Sequence, residues 1–435
     1  MFNKIIEPIG QAFEGLPDYR KASNGTKYRV SDAAKSAFSV FFMQSPSFLA
    51  QQQEMKRKRG RSNVESLFGA HETPSDNQIR NILDPIAPQE ISGVFWEIYQ
   101  TLHQTSVLAS YRDIHETLLC GIDGTQYFSS YEICCAHCQQ KEKGGRVLYS
   151  HAVIAPVLVK PGREQVISLE PEFIWPQDGS DKQDCEQNAL KRWIERNASR
   201  FSPFSLTLLA DDLHSRQPTC ELCLAHKLNF VFVCKPDSHP TLYEEIALLA
   251  RIDAIASLAV RRWNGRFHEV DTYRYASALP LRAGDDALRL QWCELTTVHE
   301  KTGEILYRNS FITNFAITDK TVVATVRTGR ARWKSENENH RTLKQQGYHL
   351  EHNFGHGSHY LSMILLILNL LAFLSHTLLD LTDQLYRQIR QALHSRQTFF
   401  NDLRALTRYL DFESWSHLLT FMAQQLELDI PPHPT

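Results

Sequence analysis

The run LLCGIDGTQYFS, residues 118–129, decides how the rest of the chain is read. Leu118, Leu119, Cys120, Gly121 and Ile122 make an apolar stretch of strand length, and the pattern resumes in Tyr127 and Phe128 after Asp123 and Gly124. An acidic side chain emerging from a buried strand is costly unless it is paired or bound to a cation. Asp123 is therefore either a functional group or a strand-end residue that turns into solvent or caps the next element.

Working outward, residues 149–159 and 165–174 read as two further strands, with Lys160, Pro161 and Gly162 as the turn between them. Three consecutive strands imply an antiparallel meander. Residues 184–198 have a helical pattern with Ala189, Trp193 and Ile194 inward, followed by a strand at 206–210, a helix at 219–226 and a strand at 230–234. Strand, helix, strand at these lengths implies a parallel crossover. A meander followed by helix, strand, helix, strand is the element order of a ribonuclease-H-like core.

Alternation returns at 267–275, 288–298 and 305–313, the last two joined by a turn at Lys301, Thr302, Gly303 and Glu304, which reads as a β-rich insertion. A helix then runs from Val322 to about Gln345, and Gly347 ends it. The first 105 residues have apolar residues at helical spacing in 30–49 and 79–102. The expected class is mixed α+β. Its expected parts are a helical N-terminal candidate DNA-binding region (1–105), the first part of the core (115–250), the β-rich insertion (251–315), the rest of the core with the Glu336 helix (316–380) and a C-terminal helical region (381–435).

A formal charge of -2 gives no bulk support to nucleic-acid binding, and a 42% hydrophobic share is ordinary for a well-packed soluble protein. The positive charge is concentrated, however, in Lys56, Arg57, Lys58, Arg59 and Arg61, and again in Arg327, Arg330, Arg332, Lys334, Arg341 and Lys344. The first run would hold a DNA backbone or serve as a solvated linker. Residues 1–11 lack the apolar core of a signal peptide, so the nine cysteines read as reduced thiols in a cytoplasmic protein. The apolar stretch 360–379 is long enough to span a membrane, but Ser362, Asn369, Ser375 and His376 within it favour a buried core helix.

Asp211 repeats the situation of Asp123, because it follows the apolar run Leu206, Thr207, Leu208, Leu209 and Ala210. Asp212 is adjacent, and successive strand residues point to opposite faces, so only one of the two should serve a common site. On the late helix, Arg332, Glu336, His340, Leu343 and Lys344 share one face if the helix is regular. Phosphodiester cleavage with two magnesium ions requires two or three carboxylates on rigid neighbouring elements. By itself, the late helix would read as a solvated, salt-bridged surface.

With these residues in view, the chain resembles the DDE transposases of bacterial insertion sequences, in particular the branch with a β-domain before the last Glu. The matching residues are Ile122-Asp123-Gly124-Thr125, Leu209-Ala210-Asp211, and Ile312-Thr313-Asn314 leading to Arg332-Trp333-Lys334-Ser335-Glu336, and the resemblance covers about residues 118–371. The family signature on the last helix is Tyr, two residues, Arg, three residues, Glu, six residues, Lys. Arg332 and Glu336 keep it, whereas Gly329 replaces the Tyr, and Lys344 falls one residue late with Leu343 in the expected position. Glu338 is the alternative third carboxylate.

The resemblance implies that Asp123, Asp211 and Glu336 bind two Mg2+ or Mn2+ ions and catalyse cleavage and strand transfer at the ends of an inserted element. It implies that Arg332 contacts a terminal phosphate, with Lys344 a further DNA contact. Double-stranded DNA is the expected partner, both terminal repeats and target, bound by a homodimer with no membrane involved. Trp333 would pack in the core or stack on an unpaired base. Alternatives are a transposase-derived DNA-binding regulator without catalysis and a nuclease that cuts without joining.

Two C-x-x-C pairs remain. Cys135 and Cys138 are candidate ligands of a structural zinc, completed by His137 or Cys185, while Cys220 and Cys223 fall in an expected helix as buried thiols. His349, His352, His356 and His359 form a loop segment for which metal binding is conceivable.

Overall fold

A computed structural model describes residues 2–21, 27–55, 62–176, 184–201 and 205–429. The protein is mixed α/β, with a large mixed sheet flanked by helices. Its strands are β1 (Leu118–Gly121), β2 (Gly124–Ser130), β3 (Gln139–Lys143), β4 (Arg146–Ile154), β5 (Val157–Val159), β6 (Ile167–Ser168), β7 (Glu172–Ile174), β8 (Leu206–Ala210), β9 (Asn229–Val233), β10 (Ala256–Trp263), β11 (His268–Pro280), β12 (Arg289–His299) and β13 (Ile305–Thr313).

Each of the three strands expected in the meander is broken in two. β1 and β2 part at Ile122 and Asp123, β4 and β5 at Ala155 and Pro156, and β6 and β7 across Leu169, Glu170 and Pro171. Proline supplies no ladder donor, so two of the three breaks fall where the chain cannot continue pairing. The first halves and second halves then enter different sheets: β1, β5 and β6 join the nine-stranded sheet, while β2 and β7 pair with β4 in a smaller one that β3 completes. Asp123 stands at the switch.

The large sheet has the order β10-β11-β12-β13-β9-β8-β1-β5-β6. β5 is antiparallel to β1, β8 is parallel to β1, and β9 is parallel to β8, with the Gln217–Ala225 helix as the β8-to-β9 connection. The β-rich segment continues this sheet, because β13 pairs antiparallel with β9 and β12, β11 and β10 follow as a meander. The central strands β1, β5 and β8 are buried at every position, as strands covered on both faces must be.

The apolar stretch at 360–379 forms the Leu361–Thr382 helix, whose most apolar 18-residue window is wholly buried inside the protein. It packs against β6, against the Phe2–Glu14, Val30–Phe42 and Asp76–Leu83 helices, and against the Gln384–Ala392 helix. Phe42, Phe68, His376, Phe400 and Trp415 meet in one aromatic cluster, so the first and last helical regions share a core around this helix.

Candidate active site

The parallel pairing of β1 with β8 sets Gly121 opposite Leu209, and the Ile122 amide continues it by donating to the Leu209 carbonyl at 2.8 Å. Asp123 follows the end of β1 by two residues and Asp211 follows the end of β8 by one, so both stand just past the C-terminal ends of adjacent parallel strands. Neighbouring strands lie about 4.8 Å apart, so the two aspartates emerge at the same end of the sheet.

Asp211 Oδ1 accepts from the Leu213 amide at 3.0 Å and so caps the short 3-10 turn Asp212–His214. Burial raises its pKa, the nearby Glu186 adds to the rise, and His214, the Leu213 amide and Arg332 oppose it. Asp212 points elsewhere, accepting from the Lys235 amide at 2.7 Å and the Ser238 hydroxyl at 2.6 Å. Asp211 rather than Asp212 therefore belongs to the site.

The expected helix from Val322 to Gln345 is not continuous. It consists of the Val322–Arg330 helix, a turn, the π-helical Ser335–His340 segment and the Arg341–Gln345 helix. π-turns inside helices recur at functional sites, because the extra residue re-aims the side chains that follow. The segment is seated on β1: a Cβ on Gly121 would overlap Ser335 Oγ, so only glycine permits this approach. From this seat His340 Nδ1 reaches Asp123 Oδ2 at 3.2 Å, and Arg332 pairs with Glu336 Oε1 at 2.7 Å. The positive charge of Arg332 also lowers the Asp211 pKa, so the late segment lies within electrostatic reach of the end of β8. Glu338 faces away, lining clefts with Glu164, Lys334 and Asp380, and burial raises its pKa.

A fourth carboxylate enters from the Glu186–Asn197 helix. Glu186 Oε1 accepts from the Gly124 amide at 3.2 Å and meets His214 Nε2 at 3.0 Å, linking the turn after Asp123 to the turn after Asp211. Sequence reading missed Glu186, His214 and His340; His340 had been noted only as sharing the Arg332 face.

Asp123, Asp211 and the Glu336 segment are thus brought to one end of the sheet, each carboxylate engaged by a protein partner. The Glu336 carboxylate is held by Arg332. The donor set suits hard divalent cations, being carboxylate oxygen on rigid strand ends, and the raised pKa of Asp211 marks an anion whose burial is under-compensated.

The DNA contacts expected around the site fare differently. Lys344 pairs with Glu351 at 2.8 Å. Trp333, for which core and stacking roles were both open, is 44% exposed and carries the buried Lys334 ammonium 4.8 Å from its ring centroid. Lys56, Arg57, Lys58, Arg59 and Arg61 lie outside the described residues.

Cys135 and Cys138 do come together, with partners other than those expected. Their sulfurs meet His151 and His356, all four ligand atoms lying within 4.8 Å of one another. His137 instead stacks on Tyr360, ring centroids 4.7 Å apart, and Cys185 is an exposed residue preceding the Glu186–Asn197 helix. Cys220 and Cys223 are buried in the Gln217–Ala225 helix, and burial raises both thiols, Cys223 to about 12.

No protein-family model matches the chain, and no curated protein matches it by sequence.

Proposed function

We propose that this protein is a DDE-type transposase that cleaves DNA at the ends of an inserted element and joins the freed 3′ ends to a target. The observation that carries the reading is the position of Asp123 and Asp211 just past the C-terminal ends of the adjacent parallel strands β1 and β8, with the Glu336 segment seated against Gly121. The order β6-β5-β1-β8-β9, antiparallel on one side of β1 and parallel on the other, supports a ribonuclease-H-like core.

Asp123, Asp211 and Glu336 are the residues that would hold two Mg2+ or Mn2+ ions, which when bound stabilise both the attacking and the leaving oxygen of an in-line displacement. His340 orients the Asp123 carboxylate through its 3.2 Å contact. Arg332, whose guanidinium fork suits a phosphate, exchanges its Glu336 partner for the DNA backbone, which frees Glu336 to turn toward the aspartates. Trp333, on the exposed side of the same segment, offers a ring for an unpaired base beside the cut.

Labelled element ends incubated with Mg2+ or Mn2+ and a plasmid target test the proposal. Cleavage and joining are expected, and Asp123→Ala, Asp211→Ala or Glu336→Ala should each lower both by about a thousandfold or more while leaving end binding intact. Cutting without joining would reassign the protein as a nuclease. Binding alone would make it a regulator, and substantial activity in any of the three variants would remove that residue from the site.

A further inference from the structure

The Cys135/Cys138 cluster has the dimensions of an occupied metal site. The two sulfurs are 3.9 Å apart, and the two imidazole nitrogens, His151 Nε2 and His356 Nε2, are 3.2 Å apart. The sulfur–nitrogen separations are 3.5 Å from Cys135 to His151, 3.4 Å from Cys138 to His151 and 3.3 Å from Cys138 to His356. A tetrahedral zinc with Zn–S of about 2.3 Å and Zn–N of about 2.0–2.1 Å has edges of about 3.8 Å between sulfurs, about 3.6 Å between sulfur and nitrogen and about 3.3 Å between nitrogens. The observed separations follow these values in order and nearly in size.

The chemistry agrees with the geometry. Two imidazole nitrogens whose lone pairs face each other in a buried space repel unless a proton or a cation lies between them. His356 Nδ1 is 3.0 Å from the Gly357 carbonyl and donates to it, which fixes the tautomer that leaves Nε2 as a free lone pair. The Cys138 amide donates to the Cys135 carbonyl at 3.2 Å, the tight turn that lets a C-x-x-C pair present both sulfurs to one point. Cys138, His151 and His356 are all under 9% exposed, so the group is closed to solvent on most sides.

We infer that Cys135, Cys138, His151 and His356 bind one structural Zn2+ ion in a four-coordinate site with no open position. The inference stands apart from the proposed transposase activity, since none of the four residues belongs to the carboxylate cluster.

The ligands come from three places in the chain: the loop between β2 and β3, the middle of β4, and the segment joining the Arg341–Gln345 helix to the Leu361–Thr382 helix. That last segment is also tied to the first helical region. Asp84 accepts from the Ser358, His359 and Leu361 amides at 3.0, 3.0 and 3.2 Å, and Arg80 donates to the Phe354 carbonyl at 3.0 Å. The ion thus fastens the small sheet to the chain that follows Glu336, at a point the helical body already grips. A closed set of four protein ligands fits this fastening role, because a catalytic zinc keeps one position for water or substrate.

Full-length protein purified under reducing conditions without added metal should contain about one zinc per chain by elemental analysis. After chelator treatment and titration with Co2+, tetrahedral d–d bands and a thiolate-to-cobalt charge-transfer band should saturate at one equivalent. Cys138→Ser should weaken the charge-transfer band. His356→Cys, which keeps four ligands and remains informative if the serine variant does not fold, should strengthen it. Zinc below about a tenth per chain together with no tetrahedral cobalt spectrum would overturn the assignment, as would a charge-transfer band indifferent to His356→Cys.

Discussion

Gly329 has no side chain because Phe311 occupies the space one would need: a Cβ there would lie 2.6 Å from two atoms of the fully buried Phe311 ring. The Val322–Arg330 helix packs too closely on β13 to carry any side chain at that position, a Tyr included. Gly329→Ala should therefore destabilise the protein by about 1–3 kcal/mol, the cost of overpacking a tight core, read as a lower urea midpoint. A stability equal to the parent would mean that Phe311 can move aside. Asp123 and Asp211 were legible as candidates because each ends an apolar run, a purely local signal. Glu186, His340, His151 and His356 were not, since each acquires its role from a partner brought in from a distant segment. His137 and Cys185 are the ligands the sequence offers beside Cys135 and Cys138, yet it is the pairing of β4 with β2 that brings the His151 imidazole to them.

The Glu186–Asn197 helix is held by a set of buried carboxylates that precede it. Arg192 donates to Glu172 at 3.0 Å and to Asp184 at 2.7 Å, and Arg196 donates to Glu172 at 2.6 Å. Burial raises the Glu172 pKa against the pull of both arginines. Arg192→Ala would leave the buried Asp184 without its cation and Glu172 with Arg196 alone, and should cost about 3 kcal/mol, the lower end of the range because the Arg192 side chain is itself 30% exposed. The same helix begins with Glu186, so the variant should also lose DNA cleavage at temperatures where it remains folded. Unchanged stability would show that Arg196 and solvent suffice for Glu172 and Asp184. The helices and strands were broadly legible from periodicity, but their interruptions were not. Apolar residues continue across the breaks at Asp123, Pro156 and Pro171, so one strand and two collinear half-strands in different sheets give the same pattern. The π-turn at Ser335–His340 is equally silent, because an extra residue per turn changes no residue type.

Across the whole molecule, the buried Leu361–Thr382 helix joins the sheet to both helical regions, and it carries a fully buried histidine into that junction. His376 accepts a 2.7 Å hydrogen bond from, or donates one to, the Tyr348 hydroxyl, and it packs on the rings of Phe42 and Phe400. Burial holds its pKa well below the usual histidine value, and the positive charges of Arg396 and Arg390 add to the depression. The folded protein thus keeps His376 neutral where the unfolded chain would protonate it. Stability is full above about pH 6.5 and falls by about 1.4 kcal/mol per pH unit below it. His376→Gln should lose less stability between pH 7.5 and about pH 5.5 than the parent, compared by urea midpoints; equal losses would assign the acid sensitivity to other groups. Sequence reading took this stretch as interior from its few polar residues, but it could not say that both ends of the chain gather around it.

That gathering has a cost during synthesis. The Val30–Phe42 helix is buried at every residue in the finished protein, and although the Phe2–Glu14 and Asp76–Leu83 helices pack on it, so does a helix that begins only at Leu361. Phe13 and Phe68 cover part of the aromatic face of the Val30–Phe42 helix early, but Phe41 waits for Phe354 and Phe42 for His376 and Trp415, a long-range pairing of the kind that slows folding and invites aggregation. A nascent chain of this protein should accordingly depend on chaperones that shield apolar segments until translation is almost complete.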